Sequence, residues 1–149
     1  MLSKSLNENT IRIADDMSKI EDWRTAIALA AKPLLDNDVI KSTYVDAMIK
    51  NVEESGPYIN IGPKIALAHA KSSDDVSDVG IALLKTKRDV NLVDEQHPVS
   101  LWFVLAAPDS TAHLKMLQEL TQLLMNQEAL GRLNNAQTVQ EILNVVENV

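Results

Sequence analysis

The sequence predicts a single α/β domain in which helices cover one β-sheet. Apolar residues recur at helical spacing near both ends of the chain, while β-rich segments of strand length lie mostly in the middle. The 149 residues, of which 46% are hydrophobic and 23% charged, suffice for one well-buried core. Because no internal repeat or linker divides the chain, we expect one domain over residues 1–149.

The first elements are a short strand and two helices. Residues 11–14 alternate between apolar and less apolar side chains, which is typical of an edge strand. Asp22 can cap a helix over 23–35, and Pro33 is expected to kink or loosen its last turn. A second helix is predicted to begin after Lys41-Ser42, and Gly56 provides its stop.

Extended segments occupy the middle of the chain. Polar loops or Gly-Pro pairs separate β-rich runs, and the predicted strands are 58–61, 65–67, 79–84 and 99–107. The link over 85–98 is polar apart from Val90, Leu92 and Val93, which we expect to form a short strand of their own.

Two helices are predicted to close the chain. The first spans 111–126, is rich in leucine and can be capped by Asp109 or Ser110. The second spans 139–148 and can be capped by Thr138. One sheet covered by helices accounts for this succession of elements, and the pattern leaves the order of the strands open.

Composition and missing motifs exclude several classes of function. The chain has no cysteine, so it cannot form a disulfide, a thiolate nucleophile or a zinc site built on Cys. Its net charge of −7 argues against nucleic acid or an anionic membrane surface as a partner. No apolar run is long enough to span a bilayer and no signal-peptide core is present, so we expect a cytoplasmic protein. Nucleotide-binding glycine loops and the Gly-x-Ser-x-Gly elbow are absent as well.

Neither a metal nor a cofactor is expected. The three histidines match no local ligand spacing, and zinc would need a further strong ligand. Asp74, Asp75 and Asp78 resemble the start of a calcium loop, but its glycine and glutamate positions are occupied by Val79 and Lys85. We therefore interpret the three aspartates as part of a solvated turn.

His69 is the first candidate for chemistry. It follows the strand predicted at 65–67 and precedes a polar loop, so a rigid strand would hold it while its ring reaches the surface. Neutral imidazole is a good nucleophile near pH 7, and a backbone carbonyl bonded to one ring nitrogen would set the tautomer. The alternative is a histidine that merely fills the end of a strand.

His113 is the second candidate, on the first turn of the helix predicted at 111–126. A helix N-terminus offers unpaired N–H groups and a partial positive charge, which suit a phosphoryl group. If the strand ends before His69 and Asp109 lie side by side, the two imidazoles converge over one pocket. The alternative is a half-exposed residue at a helix start, and His97 is interpreted as a solvated loop residue.

The residues around His69 resemble those of a known family. The stretch 56–70, Gly-Pro-Tyr-Ile-Asn-Ile-Gly-Pro-Lys-Ile-Ala-Leu-Ala-His-Ala, is similar to the active-site region of enzyme IIA proteins of the bacterial sugar phosphotransferase system, mannitol/fructose class. The likeness includes 44–48 upstream, Tyr-Val-Asp-Ala-Met, and 104–108 downstream, Val-Leu-Ala-Ala-Pro, followed by His113-Leu114. The Gly-Pro-Tyr at 56–58 is similar to the L-ascorbate-specific branch in particular.

This resemblance implies a fold, a reaction and a set of partners. The implied fold is α/β, with a mixed sheet flanked by helices on both sides. His69 would accept a phosphoryl group from the phosphohistidine of the carrier protein HPr and pass it to a cysteine of a separate enzyme IIB, which serves the membrane permease, enzyme IIC. By the family pattern His113 is the second active-site histidine and steadies the phosphoryl group, without a metal or cofactor.

Two positions depart from the family pattern. Members usually carry an Arg where this chain has Asn51 and a Pro where it has Ala68. Lys71, shortly after His69, is our candidate for the missing positive partner of the phosphoryl group. Two other functions stay open: a regulatory enzyme IIA-like protein whose His69 phosphorylation state controls a partner, and an interaction domain without chemistry.

Overall fold

The computed structural model describes residues 2–149, and these residues build one five-stranded mixed sheet. Its strands are β1 Ile11–Ala14, β2 Asn60–Gly62, β3 Lys64–Ala68, β4 Gly80–Asn91 and β5 Pro98–Ala106. They lie in the order β1-β4-β5-β3-β2. β1 runs parallel to β4 and β3 runs parallel to β5, whereas β4 with β5 and β2 with β3 are antiparallel. The mixed sheet and the edge position of residues 11–14 are thus confirmed.

The helices lie on both faces of this sheet. They are α1 Leu2–Ser5, α2 Trp23–Asp36, α3 Ser42–Ser55, α4 Ser110–Leu124, α5 Gln127–Asn135 and α6 Val139–Glu147, with a 3₁₀ turn at Met17–Lys19. The predicted caps Asp22, Asp109 and Thr138 are confirmed, since each side chain accepts a backbone N–H of the first turn that follows. None of the helices within residues 2–149 has the length and apolar content needed to cross a bilayer.

Three helical details differ from the expectation. The helix predicted over 111–126 stops at Leu124, because the Asn126 side chain accepts the N–H of Ala129 at 3.0 Å and so begins α5. Neither α5 nor the short α1 follows from the leucine pattern. α2 continues through Pro33 and ends at Asp36, one residue beyond its predicted end. The predicted stop of α3 at Gly56 is confirmed, with a φ of 83°, a left-handed conformation that glycine adopts readily.

β4 is much longer than the strand predicted over 79–84. It continues to Asn91, and its pairing with β5 changes register between Lys85 and Val90. The intervening bulge exposes residues 87–89 and makes this part of the strand look like a polar link. A separate short strand around Val90 is therefore wrong, since Val90 pairs within β4 and the buried Leu92 begins the turn into β5.

β2 is shorter than the strand predicted over 58–61. The N–H of Tyr58 bonds to the Gly56 carbonyl at 2.9 Å, and the N–H of Asn60 bonds to the Pro57 carbonyl at 3.1 Å. These local bonds form a turn, so extended pairing with β3 begins only at Asn60.

Side chains of the strands alternate between two hydrophobic clusters. One cluster packs the sheet against α2 and α3, and the other packs it against α1, α4, α5 and α6. Alternate residues of the central strands divide between them: Ala66, Ala68, Trp102 and Val104 face α2 and α3, while Ile65, Leu67, Leu101 and Phe103 face the other layer. The sheet is therefore flanked by helices on both sides, as expected.

The parallel pair β3–β5 decides where the candidate histidines lie. Its last paired residues are Ala68 and Val104, so the segments that follow both strands leave the sheet at the same edge. His69 follows β3 directly, and the segment after β5 leads to Asp109 at the start of α4. The strand ends thus lie side by side, which was the condition for the two histidines to converge.

The packing of α2 against β4 can be tested at Gly80. A Cβ atom there would lie 2.9 Å from side-chain carbons of Leu34 and Val39, and Leu34 is only 2% exposed. We expect Gly80→Ala to lower the free energy of unfolding by about 1–3 kcal/mol, because the core has no space for the methyl group. Gly131→Ala in α5 is the control. A Cβ atom at position 131 would have no neighbour within 4 Å, so this change should raise the free energy of unfolding by about 0.5–1 kcal/mol. Equal urea midpoints for the two variants would contradict this account.

Candidate functional site

His69 lies at the end of β3, half-buried, with its ring fixed by the backbone. Its Nδ1 lies 2.9 Å from the carbonyl oxygen of Leu67. A carbonyl oxygen can only accept, so Nδ1 carries the hydrogen and donates it. In the neutral ring the lone pair is therefore on Nε2, which becomes the nucleophilic nitrogen. A backbone carbonyl thus sets the tautomer, as the sequence analysis expected.

His113 lies next to His69, as the adjacent strand ends require. The two imidazole centroids are 6.0 Å apart, with an angle of 61° between the rings. His113 is on the first turn of α4, where the carboxylate of Asp109 accepts the N–H of Ala112 at 2.8 Å. That cap holds the helix start at the edge of the sheet. The predicted convergence of the two imidazoles is confirmed.

Tyr58 is a third ring at this place. Its centroid is 5.9 Å from that of His69, with the rings nearly perpendicular at 85°, and the side chain is 46% exposed. The sequence analysis assigns no role to Tyr58. Its place after Gly56-Pro57 in the stretch that resembles the family is the only sequence signal for this contact.

The three rings line one open cavity of about 550 Å³. Its lining combines polar groups with apolar side chains: Asn51, Tyr58, His69, Ala70, Lys71, Ser72, Ser110, His113, Leu114 and Leu117. Asn51, where the family pattern has Arg, and Lys71, the candidate replacement for that Arg, therefore line the same cavity as both histidines. Leu114 is 57% exposed, so the rim is partly apolar.

The buried Tyr44 of α3 holds the backbone beside His69. Its hydroxyl accepts the N–H of Ala70 at 3.0 Å and lies 2.9 Å from the carbonyl oxygen of Leu105. Burial raises the pKa of the Tyr44 hydroxyl, so it keeps the proton that it donates. The loop after β3 and the end of β5 are thus tied to one side chain of α3.

A second hollow, of about 480 Å³, lies at the other end of the sheet near Lys85. The Lys85 ammonium donates to the carbonyls of Leu133, Asn134 and Ala136. Burial lowers the pKa of Lys85, but these carbonyls at the end of α5 take up its donors. We assign Lys85 a structural role, as a cap of that helix end.

His97 lies apart from the other two histidines, in the turn between β4 and β5. Its Nδ1 is 2.6 Å from a carboxylate oxygen of Asp94, and this hydrogen bond lowers the pKa of Asp94. His97 does not line the cavity of His69. Over residues 2–149, no three His, Asp or Glu side chains come together as metal ligands would, and this includes the aspartates at 74–78.

The cavity is suited to a nucleophile that receives an anion and releases it again. Nε2 of His69 has the free lone pair, and the His113 ring lies close enough to contact a group attached to it. The first N–H groups of α4, at Ser110 and Thr111, have no acceptor within the helix. Ser110 and Lys71 line the cavity, so the N–H of Ser110 and the Lys71 ammonium can donate to negatively charged oxygens.

Comparison with known proteins gives a family match over nearly the whole chain. The model of the family described as "Phosphoenolpyruvate-dependent sugar phosphotransferase system, EIIA 2" matches residues 4–149. The ascorbate-specific PTS system EIIA component of Escherichia coli (strain K12) is 29% identical over 149 residues, which cover 98% of this chain and 95% of that protein.

Solved structures share the fold. The solution structure of the mannitol-specific cryptic phosphotransferase enzyme IIA CmtB from Escherichia coli has a TM-score of 0.90 and 26% identity, with 99% of each chain covered. Enzyme IIAMTL of Escherichia coli, solved in complex with phosphorylated enzyme IIBMTL, has a TM-score of 0.79, 20% identity and coverage of 96% and 97%. The second likeness shows the fold alone.

The tautomer of His69 can be read by NMR. At a pH where the ring is neutral, long-range ¹H–¹⁵N spectra should show a protonated Nδ1 and an unprotonated Nε2 for His69, because only Nδ1 faces the Leu67 carbonyl. His97 should give the same pattern through Asp94 and serves as an internal reference. A His69 ring protonated at Nε2 would remove the basis for assigning it a nucleophilic Nε2.

Proposed function

Since the chain belongs to the EIIA 2 family of the phosphoenolpyruvate-dependent sugar phosphotransferase system, we propose that it carries phosphoryl groups on Nε2 of His69. The observation that carries this proposal is the free Nε2 lone pair beside His113, within a cavity that has donors for phosphoryl oxygens. The donor is phospho-HPr, the acceptor is a cysteine of enzyme IIB, and the sugar is L-ascorbate.

The proposed transfer balances at each step. Nε2 of His69 attacks the phosphorus of the HPr phosphohistidine, a new N–P bond forms, and the N–P bond to HPr breaks. Nδ1 keeps its hydrogen and donates it in a hydrogen bond to the Leu67 carbonyl oxygen. This hydrogen bond stabilises the positive charge that develops on the ring. The cysteine thiolate of enzyme IIB then attacks the same phosphorus, and His69 leaves as the neutral Nδ1–H tautomer.

The groups around His69 suit the transition state of phosphoryl transfer. Phosphoryl transfer between two nucleophiles passes through a loose transition state, so alignment and donors for the equatorial oxygens are the main requirements. His113, Ser110 and Lys71 line the cavity, and in this proposal the His113 ring, the N–H of Ser110 and the Lys71 ammonium supply these donors. Because the cavity is open to solvent, the phosphorylated ring stays accessible to the second partner.

The acceptor cysteine lies outside these 149 residues, because they contain no cysteine. An IIA protein of the same fold is known in complex with its phosphorylated IIB, which supports a partner of that kind. Tyr58 and Leu114 expose apolar surface beside His69, as a small, transient protein interface would use. The ascorbate-specific relatives support L-ascorbate as the transported sugar.

The nucleophile can be tested in a reconstituted reaction. With phosphoenolpyruvate, enzyme I and HPr, the wild-type chain should acquire an acid-labile, base-stable phosphoryl group. His69→Ala should acquire none, and His113→Ala should be slower by about 10²–10³-fold, as for loss of one donor to a transition-state oxygen. His97→Ala is the matched control and should react at the wild-type rate, since His97 lies outside the cavity. Phosphorylation of His69→Ala would refute the proposal.

The same reaction distinguishes transport from regulation. The phosphorylated chain should pass its phosphoryl group to an ascorbate-type enzyme IIB, with the IIB cysteine modified and His69 regenerated. Rapid acceptance from HPr without any transfer to IIB would instead favour a regulatory enzyme IIA-like protein whose phosphorylation state controls a different partner.

Lys71 can be tested as the replacement for the family arginine. Lys71→Ala should slow acceptance from phospho-HPr by about five- to tenfold, since one exposed charge contact at about 4 Å is worth about 1 kcal/mol. The loss should shrink at high salt, because exposed charges are screened. Lys50→Ala removes an exposed charge that does not line the cavity and controls for net charge.

A second substitution tests the same assignment in the opposite direction. Asn51→Arg, made in the Lys71→Ala background, should restore the rate, because Asn51 lines the same cavity. Stopped-flow or quenched-flow measurement of the phosphorylated fraction gives both rates. An unchanged rate in Lys71→Ala would exclude this lysine as the partner of the phosphoryl group.

A further inference from the structure

We propose that Tyr44 is a positioning residue for phosphoryl transfer: its hydroxyl separates the ends of β3 and β5 and so sets the gap between His69 and His113. This inference rests on the proposed function, because the gap matters only if a phosphoryl group enters it. Tyr44 does not line the cavity and is 2% exposed, so it can act only through the backbone that it binds.

The Tyr44 hydroxyl makes one hydrogen bond to the segment after β3 and one to the end of β5. It accepts the N–H of Ala70 at 3.0 Å and donates to the carbonyl oxygen of Leu105 at 2.9 Å. The Ala70 carbonyl is slightly farther, at 3.2 Å, and the hydroxyl has a single proton. The oxygen thus bridges a donor that follows β3 and an acceptor at the end of β5.

This donor and acceptor would otherwise bond directly to each other. The last pair of the parallel ladder is Ala68 with Val104, and the same register continued by one position pairs His69 with Leu105. In a parallel ladder the residue after a paired one gives its N–H to the partner's carbonyl, here Ala70 to Leu105. The Tyr44 oxygen occupies the place of that next ladder bond.

The direction of the N–H groups supports this geometry. The N–H of Leu67 bonds to the carbonyl of Ile59 at 2.9 Å, on the β2 side of β3. Because successive N–H groups of a strand point to opposite sides, that of Ala68 points to β5, and so does that of Ala70 in an extended continuation. The N–H of Ala70 therefore points to β5, but the Tyr44 hydroxyl accepts it and in turn donates to the Leu105 carbonyl of β5.

The two hydrogen bonds through the Tyr44 hydroxyl replace one direct bond between Ala70 and Leu105, so they hold the strand ends farther apart just after His69. The chain from Leu105 leads on to Asp109 and α4, which bears His113, so the spacing at Leu105 also sets the position of that helix start. The resulting ring separation of 6.0 Å leaves space for a phosphoryl group on Nε2. A direct bond between Ala70 and Leu105 would draw the two histidines together and narrow that space.

Tyr44→Phe removes the bridging oxygen and keeps the ring. We expect the rate of acceptance at saturating phospho-HPr to fall by about ten- to a hundredfold, as for a misplaced reacting group. The KM for phospho-HPr should stay within about twofold, because Tyr44 is buried and does not line the cavity. A raised KM with an unchanged saturated rate would overturn the inference, since it would indicate a role in docking.

Hydrogen exchange tests the bridge in the wild-type chain as well. The Ala70 amide lies in a loop, yet it should exchange as slowly as strand amides, because Tyr44 accepts it. It should exchange faster in Tyr44→Phe. Fast exchange in the wild type, or equal exchange in both proteins, would overturn the inference even if the variant folded poorly.

Ile142→Val separates positioning from stability. Ile142 is fully buried in α6, away from the cavity, so this variant loses core packing without altering the strand ends. Its saturated rate should equal that of the wild type. An equal loss of rate in Ile142→Val and Tyr44→Phe would overturn the positioning role. Failure of the wild type to accept any phosphoryl group would instead refute the proposed function.

Discussion

The parallel hydrogen bonding of β3 with β5 is the interaction on which the candidate site depends. It directs the ends of two strands that are distant in sequence to the same edge of the sheet, and a histidine follows each of them. The hydrophobic clusters on both faces hold this pair in register, because a slip by one residue would exchange the buried side chains of the two faces. The core thus fixes which strand ends meet at this edge.

The use of a backbone carbonyl to orient His69 has a chemical advantage for a carrier. Many catalytic histidines are oriented by a carboxylate, which adds a full negative charge beside the ring. A phosphoryl group is itself strongly anionic, so a neutral orienting group sets the tautomer without repelling it. The neighbouring groups of His69 are accordingly another imidazole, helix N–H groups and a lysine, all neutral or positive or able to donate.

Much of this arrangement could be predicted from the sequence because it follows from local signals. Helix starts are indicated by the capping residues Asp22, Asp109 and Thr138. Buried strands are indicated by the apolar runs before His69 and Asp109. The bulge in β4 could not be predicted, because its polar residues resemble a loop and only pairing with β5 defines them as strand. The contacts of Tyr44 and Tyr58 could not be predicted either, since each joins residues that only the assembled fold brings together.

The succession of β4 and β5 has a consequence for how the chain folds. These strands are joined by the turn at 92–97 and form an antiparallel hairpin, whereas β1 and β3 pair with the hairpin from long range. Loop-closure entropy favours the local hairpin first, then β3, which pairs with β5 over a shorter separation along the chain, and last β1, whose partner in β4 is farther away in sequence. The histidines meet only when β3 pairs with β5, so phosphoryl acceptance should appear after β3 has joined the hairpin and not with the hairpin alone.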